Sequence, residues 1–339
     1  MMKAAMVDPM GLENLKVVEL PEPEPKPGEV LVRMKAATLN FRDILAVNGG
    51  YGKMQKQERL IPLSDGAGEI VAVGKGVRGL KPGDRVIGCF FPLWQDGTLR
   101  VEHVMADLGG GMDGVACEFR CFRQDAVVKL PDGLSDMEGA ALPCAAATAW
   151  NAVVTKGRVG PGDRVLIQGT GGVSLFALQF AVMAGAEVYA TSSSGEKMEL
   201  LKSLGAAHVV NYRDDPDWGR TINGLTGRRG ITHAVEIGGA ATLKQTMMSM
   251  GLGGFIGMVG VVTGPRAELN LPIVAMQETR IEGVTAGSRA ALQKLVDALA
   301  VHGVRPVLDK AAFTLETLRD GLEYLKAGKH VGKVGVRIA

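Results

Sequence analysis

Hydrophobic and polar positions divide the chain into regions of different period. Up to about residue 132, short runs alternate between apolar and polar residues, as half-buried strands require. Residues 3–7 and Leu15–Leu20 are partly alternating. A proline-rich stretch, 21–27, precedes residues 28–35, which alternate cleanly. Residues 69–73 and 84–87 continue the pattern, separated by Gly74-Lys75-Gly76 and Lys81-Pro82-Gly83-Asp84 turns. Turns at such short spacing predict a small β-barrel.

The period changes near residue 135. Ser135 and Glu138 stand at capping-box spacing, which predicts a helix start. An apolar strand, Arg164–Gln168, runs into Gly169-Thr170-Gly171-Gly172-Val173 and then a long apolar helix. Strand 187–191, helix 196–204 stopped at Gly205, and strand His208–Asn211 follow. Strand 234–237, helix Leu243–Ser249, strand 255–259 and a last strand ending near Val284 complete the run. Strands alternating with helices predict an α/β doubly wound parallel sheet. In the tail, Leu292, Leu295, Val296 and Leu299 mark a helix over 288–302, with Gly303 as its stop. A second helix carries Leu315, Leu318, Leu322 and Leu325, and residues 331–338 read as a closing strand. The expected division is a barrel from 1–135 and 288–339, with the parallel-sheet domain over 136–287. A length of 339 residues suits two cores.

Charge and composition narrow the function classes. Lys and Arg total 38 against 36 Asp and Glu, a net +2, so no electrostatic case exists for nucleic acid or an anionic membrane. Windows 165–186 and 245–265 lack charge, but Gly, Gln, Ser and Thr interrupt both, so they read as buried strand, turn and helix. The 47 glycines are about twice the usual roughly 7% share and have no fixed period. Four cysteines do not make a disulfide scaffold, so a reducing, cytoplasmic setting is the expectation.

Gly169, Thr170, Gly171, Gly172 and Val173 follow a strand and open a helix, the context that a dinucleotide fingerprint needs. Glycines let the backbone approach a pyrophosphate, and the helix N-terminus offers free N–H groups. The third fingerprint position is Ser174 instead of Gly. An NAD site usually carries an acid about 20 residues past the first glycine. Here that stretch holds Ser192, Ser193, Ser194 and Lys197, a set suited to a 2′-phosphate, so NADPH is the expected cofactor. Tyr212 closes the third strand and is a candidate to stack on adenine. Ligands of open α/β sheets sit beyond the carboxyl ends of the strands. That rule selects Gly238 and Gly239, Gly260 and Val261, and Ala286, Gly287 and Ser288; each glycine is equally readable as a plain loop.

With these motifs in place the chain resembles the medium-chain dehydrogenase/reductase superfamily over its full length. The resemblance rests on 81-Lys-Pro-Gly-Asp-Arg-Val-86, Pro143-Cys144 followed by Thr148-Ala149-Trp150, Asn211-Tyr212, and Gly332-Lys333-Val334. It implies a GroES-like barrel, a Rossmann domain and a homodimer paired through the last Rossmann strand. It is closest to the zinc-independent quinone oxidoreductase and enoyl reductase branch. Zinc-dependent members carry a Cys, a His-Glu pair and a later Cys where this chain has Asn40, Ser64-Asp65 and Cys144. A catalytic zinc needs three protein ligands, so no metal is expected. Of the four cysteines in the structural-zinc lobe, only Cys117 and Cys121 have counterparts here.

The chemistry implied is NADPH-dependent reduction of an activated C=C bond or a quinone in a small-molecule substrate. A zinc-free alcohol dehydrogenase and a non-catalytic NADPH-binding protein are the alternatives. Asn40-Phe41-Arg42-Asp43 followed by Tyr51 is similar to the enoyl reductases' Asn-aromatic-Arg-Asp run and later tyrosine. Tyr51 is thereby either a proton donor or a loop tyrosine that shapes the site. Asn40 is a candidate to orient substrate or nicotinamide ribose, Arg42 and Asp43 read as a structural ion pair, and Thr148 stands where relatives contact the nicotinamide. Lys333 is either a cofactor contact or a surface lysine. Segment 94–122 reads as a mobile lid or as an ordered excursion packed on the barrel.

Overall fold

A computed structural model describes residues 1–338. Its strands are β1 (Met2–Val7), β2 (Leu15–Leu20), β3 (Glu29–Thr38), β4 (Asp65–Val73), β5 (Arg85–Gly88), β6 (Phe119–Arg123), β7 (Val127–Lys129), β8 (Arg164–Gln168), β9 (Glu187–Ser192), β10 (His208–Asn211), β11 (Ile231–Glu236), β12 (Met250–Met258), β13 (Arg280–Gly283), β14 (Leu308–Thr314) and β15 (Lys333–Arg337). The chain divides into two compact units. One holds residues up to Ala147 and from Ala286 onward; the other is Thr148–Thr285.

The first unit is the barrel. β3 is its central strand and pairs antiparallel with β4, β6 and β15. Thr38 lies opposite Asp65 on one side and Gly335 on the other. This register brings Asn40, Asp65 and Lys333 to one end of the sheet. Val30, Val32, Ile70, Leu63 and Val336, all fully or nearly fully buried, fill the core. Gly332, just ahead of β15, has φ +66°, and a Cβ there would lie 2.1 Å from the Val307 carbonyl oxygen. Only glycine fits a left-handed turn with backbone this close.

The second unit is a Rossmann sheet with strand order β10-β9-β8-β11-β12-β13, every pair parallel. The order reverses between β8 and β11, the switch point at which such sheets bind ligands. Window 165–186 is strand, turn and helix, and among the described residues no helix is long and apolar enough to cross a membrane.

The boundaries differ from the expected 135 and 288. Helical segments run from Asp136 to Lys156, opened by Ser135, whose Oγ accepts the Glu138 N–H while Glu138 accepts the Ser135 N–H. Their first part packs on barrel strands, where Thr38 Oγ1 donates to the Ala140 carbonyl at 2.9 Å. Segment 136–147 therefore belongs with the barrel, and so do Ala286 and Gly287.

Candidate active site

In the barrel unit, the Lys333 ammonium is the centre of a buried polar cluster. Lys333 is only 2% exposed and Asp65 is fully buried. Its Nζ donates to Leu39 O at 2.9 Å, Asn40 Oδ1 at 2.5 Å and Asp65 Oδ2 at 3.0 Å. Asn40 Nδ2 donates in turn to Asp65 Oδ2 at 2.9 Å. Amide oxygen facing ammonium and amide nitrogen facing carboxylate fix the orientation of Asn40. The surface reading of Lys333 is corrected: strand register, invisible in the sequence pattern, turns it inward beside Asp65. A buried ammonium is tolerated only when paired and hydrogen-bonded, as this one is on three sides.

Asn40 also starts helix Phe41–Val47, where its backbone N–H donates to Asp43 Oδ2 at 2.8 Å. Burial pushes the Asp43 carboxyl up to about 6, against the opposing charge of Arg42. The guanidinium of Arg42 lies 3.4 Å from Asp43, as the ion-pair reading expected, and it does more than pair. It donates to Leu108 O at 2.9 Å and Gly109 O at 3.3 Å, and also binds Asp107. Its central carbon lies 5.5 Å from the Tyr51 ring centroid and 5.2 Å from that of Phe90. Burial raises the Tyr51 phenol above its ordinary range, while Arg42 pulls it down by charge and hydrogen bonding. The phenol therefore stays protonated at neutral pH, next to a fixed cation.

The same anchor settles segment 94–122 as a packed excursion. Arg42 holds its middle, β6 joins the sheet, and Phe90, Phe91, Trp94 and Ala286 form a small apolar cluster with half-buried Cys144 against it. Trp94 also stacks on His103, whose Nδ1 accepts the Arg100 N–H.

Zinc can be tested against the side chains at Asn40, Ser64 and Cys144. An amide and a hydroxyl stand where thiolate and imidazole are needed. The Ser64 hydroxyl donates to Asp65 Oδ1 at 3.1 Å, and the Asn40 oxygen is taken by Lys333. Burial, reinforced by Asp65, pushes the Cys144 thiol far up, which favours the protonated thiol. Among the described residues, no group of three or more His, Cys, Asp or Glu side chains is placed to hold a metal ion. The donor set does not fit a catalytic zinc.

In the Rossmann unit, Gly169 turns the chain after β8 with φ +75°, and Gly171 caps helix Gly172–Met183. The first N–H groups of that helix have no intrahelical acceptor. Ser174 Oγ donates to Gln168 O at 2.7 Å, so the departure from the glycine fingerprint fastens the helix to the strand end. Thr170 and Thr148 are buried. β9 ends at Ser192, whose Oγ is buried with no hydrogen-bond partner. An orphaned hydroxyl at a ligand-facing strand end fits a cofactor's polar group. Ser193 follows it, Lys197 lies in the first turn of helix Gly195–Ser203, and Tyr212 is 42% exposed with its N–H on Ser192 O.

The other strand ends are organised by a residue the sequence reading passed over. Glu236 is fully buried at the end of β11. Its Oε1 accepts the N–H groups of Gly238 and Gly239, both at 2.9 Å, and Thr242 Oγ1. Its Oε2 accepts Gln168 Nε2 at 2.7 Å and Thr246 Oγ1 at 2.5 Å. The Gly238 and Gly239 N–H groups are thus already used, and their carbonyls accept from Thr263 and from Thr242 and Leu243, so the turn offers a ligand its shape. The signal was an acid ending an apolar strand just before a Gly-Gly pair. Gly260 donates to Glu236 O, and Val261 is half exposed. Ser288 caps helix Arg289–His302 through the Ala291 N–H, and Ala286 is buried in the apolar cluster, so both have structural roles within the barrel unit, to which Gly287 also belongs.

Residues 26–132 match the family model described as the alcohol dehydrogenase GroES-like domain, and residues 172–301 match that described as zinc-binding dehydrogenase. Over 97% of its length, and 96% of the relative's, the chain is 40% identical to a zinc-type alcohol dehydrogenase-like protein of Schizosaccharomyces pombe. The chain belongs to the medium-chain dehydrogenase/reductase superfamily. Another member, the acryloyl-coenzyme A reductase of Metallosphaera sedula, is 28% identical over 95% of this chain and 96% of its own. A crystal structure of a putative alcohol dehydrogenase from Sinorhizobium meliloti superposes with a TM-score of 0.92 at 37% identity, covering 99% of this chain and 98% of that one. This medium-chain dehydrogenase/reductase is accordingly an oxidoreductase. The model matched by residues 172–301 is described as zinc-binding, whereas Asn40, Ser64 and Cys144 do not make a catalytic zinc donor set.

Proposed function

We propose that this protein is an NADPH-dependent reductase of an activated C=C bond, in an enone, enal or enoyl thioester, or of a quinone, acting without a metal. The observation that carries the reading is the donor set: Asn40, Ser64 and a protonated Cys144 stand where zinc ligands would be. Alcohol oxidation in this fold relies on a Lewis acid. Hydride addition to a conjugated alkene leaves charge on a carbonyl oxygen, which fixed hydrogen-bond donors stabilise. Bound NADPH supplies the hydride. Asn40 orients the substrate, and the protonated Tyr51 phenol supplies the proton. The acryloyl-coenzyme A reductase among the relatives supports this class of substrate.

NADPH as the cofactor is supported by Ser192, Ser193 and Lys197 and by the lack of an acid at the end of β9. In this reading Gly169 to Val173 form the pyrophosphate turn, and Tyr212, Gly238, Gly239, Gly260 and Val261 are the further cofactor contacts after the strands of the Rossmann unit; Thr148, on a helix of that unit, is a further candidate, and Ala286, Gly287 and Ser288 are candidates within the barrel unit. The four cysteines are free thiols, which suits a reducing cytoplasm. Edge strand β13 has a partner on one side only, and Leu271 and Met276 nearby are 69% and 79% exposed. A homodimer formed through this edge would cover both features.

The test is NADPH oxidation with an enal, a quinone and an enoyl thioester, beside NADP⁺ reduction with alcohols. Alkene or quinone turnover by metal-free enzyme is expected. Alcohol turnover alone would replace the reading with a zinc-free alcohol dehydrogenase. Tight NADPH binding without turnover would replace it with a non-catalytic NADPH-binding role.

A further inference from the structure

The zinc-ligand positions hold neutral side chains, yet the site is not without a cation. The Lys333 ammonium sits among them, bonded to Asn40 Oδ1 at 2.5 Å and Asp65 Oδ2 at 3.0 Å. We propose that Lys333 is the resident cation of the site, a positioning residue that polarises the Asn40 amide so that Asn40 Nδ2–H is the donor to the substrate carbonyl oxygen. This rests on the reductase reading above and names the group that takes up the developing charge.

The hydrogen-bond inventory supports the assignment. All three ammonium protons are spent, on Leu39 O, Asn40 Oδ1 and Asp65 Oδ2, so Lys333 has none left for a substrate. Asn40 Nδ2 carries two protons and donates one, to Asp65. The second has no acceptor among the described residues, at a residue 9% exposed. An amide whose oxygen accepts from an ammonium is a stronger donor at nitrogen, because charge is drawn toward the oxygen. Asp65, taking up both Lys333 and Asn40 and itself held by Ser64, keeps the arrangement rigid. Charged neighbours facing Lys333 and Asp65 include Asp43 and Arg42 on the adjoining helix.

The reaction balances without a metal. Hydride adds to the β-carbon, the C=C electron pair moves to the carbonyl as an enolate, and a proton adds to the α-carbon. The Asn40 N–H stabilises the enolate oxygen without being transferred. The positive charge that polarises it lies one amide away, fixed in a region of low dielectric where it needs no reorganisation.

Removing Lys333 alone would leave Asp65 as an uncompensated buried charge, so the test removes both charges in K333M/D65N. The probe is 4-(dimethylamino)cinnamaldehyde bound with NADP⁺, which cannot donate hydride. The dye's absorption moves to the red when its carbonyl oxygen accepts a strong hydrogen bond. Wild type is expected to shift the band, and N40L to abolish the shift while retaining the Lys333–Asp65 pair. K333M/D65N is expected to lose most of the shift at unchanged NADPH affinity. With a turned-over enone, its kcat should fall roughly tenfold, below the about 10²–10³-fold cost of deleting an oxyanion donor outright. No red shift in wild type, or a shift retained in either variant, overturns the proposal. A red shift lost as expected, but with no alkene or quinone turnover by wild type, ends the reductase reading and leaves the polarising role standing.

Discussion

Gln168 Nε2 donates to Glu236 Oε2 across 2.7 Å, joining the ends of β8 and β11 at the point where the Rossmann strand order reverses. Through that contact the glycine turn after β8 and the Gly238–Gly239 turn after β11 share one buried carboxylate. Glu236→Gln keeps the shape but replaces an acceptor by a donor, opposite groups that are already donors. A loss of about 1–3 kcal/mol is expected, the cost of leaving buried partners unsatisfied. Cofactor affinity should weaken with it as the two turns drift apart. Thermal melts and fluorescence titration with NADPH check both, and unchanged affinity would show that the network serves only folding.

The Tyr51 ring is held beside the Arg42 guanidinium, and in the proposed reaction its phenol is the proton donor. Tyr51→Phe keeps the ring beside that cation and removes the phenol oxygen with its proton. Turnover is expected to fall by about 10²-fold, the lower end of general-acid contributions, with NADPH affinity unchanged. Single-turnover NADPH oxidation measures it. Full turnover in the Phe variant would remove Tyr51 from the chemistry and leave it as a residue that shapes the site.

Asp43 gives a pH dependence with a definite sign. Its carboxyl is raised to about 6 by burial, above the ordinary aspartate range, despite Arg42, and with Asp65 adding to the rise. Between the unfolded and folded values the native state holds the extra proton, so stability from this group is present at low pH and lost as pH rises through about 6. The amount is at most about 3 kcal/mol, two units of differential ionisation. Asp43→Asn removes the titration while keeping an acceptor for the Asn40 N–H. The wild-type melting temperature minus that of this variant should therefore fall from pH 4.5 to pH 7.5. A difference that rises over that range would contradict the sign.

What could be read in advance, and what could not, follows from range. The parallel sheet was visible because β8, β9 and β10 are apolar runs separated by amphipathic or apolar helices, a local pattern. The capping box at Ser135 and the stop at Gly303 were legible for the same reason. Helix Phe41–Val47 was not, since Phe41 and Leu45 are exposed while Asp43 is buried, the reverse of an amphipathic pattern. β6 and β7 hid in the long 94–122 excursion and after it because Arg120, Arg123 and Lys129 interrupt their alternation. Lys333 was the largest gap. Whether a lysine faces water or a buried carboxylate depends on how β15 registers against β3, which no local period records. Glu236 was missed likewise, because its partner Gln168 lies 68 residues away along the chain.

The β13 edge carries the assembly prediction. Leu271 and Met276 are largely exposed near a strand whose outer side has no partner. Sedimentation is expected to give a dimer for wild type, and Leu271→Glu combined with Met276→Glu is expected to give a folded monomer by introducing like charges on a self-facing surface. A wild-type monomer at micromolar concentration would rule the dimer out.

Cofactor choice turns on one strand end. Ser192 closes β9 with a buried hydroxyl that has no partner, and the residues after it are serines and a glycine before Glu196 and Lys197. A hydroxyl there accommodates a 2′-phosphate, which needs donors; an acid would repel it and instead accept from ribose hydroxyls. Ser192→Asp is therefore expected to lower the kcat/KM preference for NADPH over NADH by roughly 10²-fold, in line with a like-charge juxtaposition of several kcal/mol. Steady-state kinetics with both cofactors and a fixed enone measures the ratio. Because Ser192 belongs to the Rossmann unit, the barrel residues Asn40, Tyr51 and Lys333 are untouched, and the rate at saturating cofactor should change far less than the ratio. An unchanged ratio would mean that the discriminating contact lies elsewhere, with Lys197 in the first turn of the next helix as the next position to test.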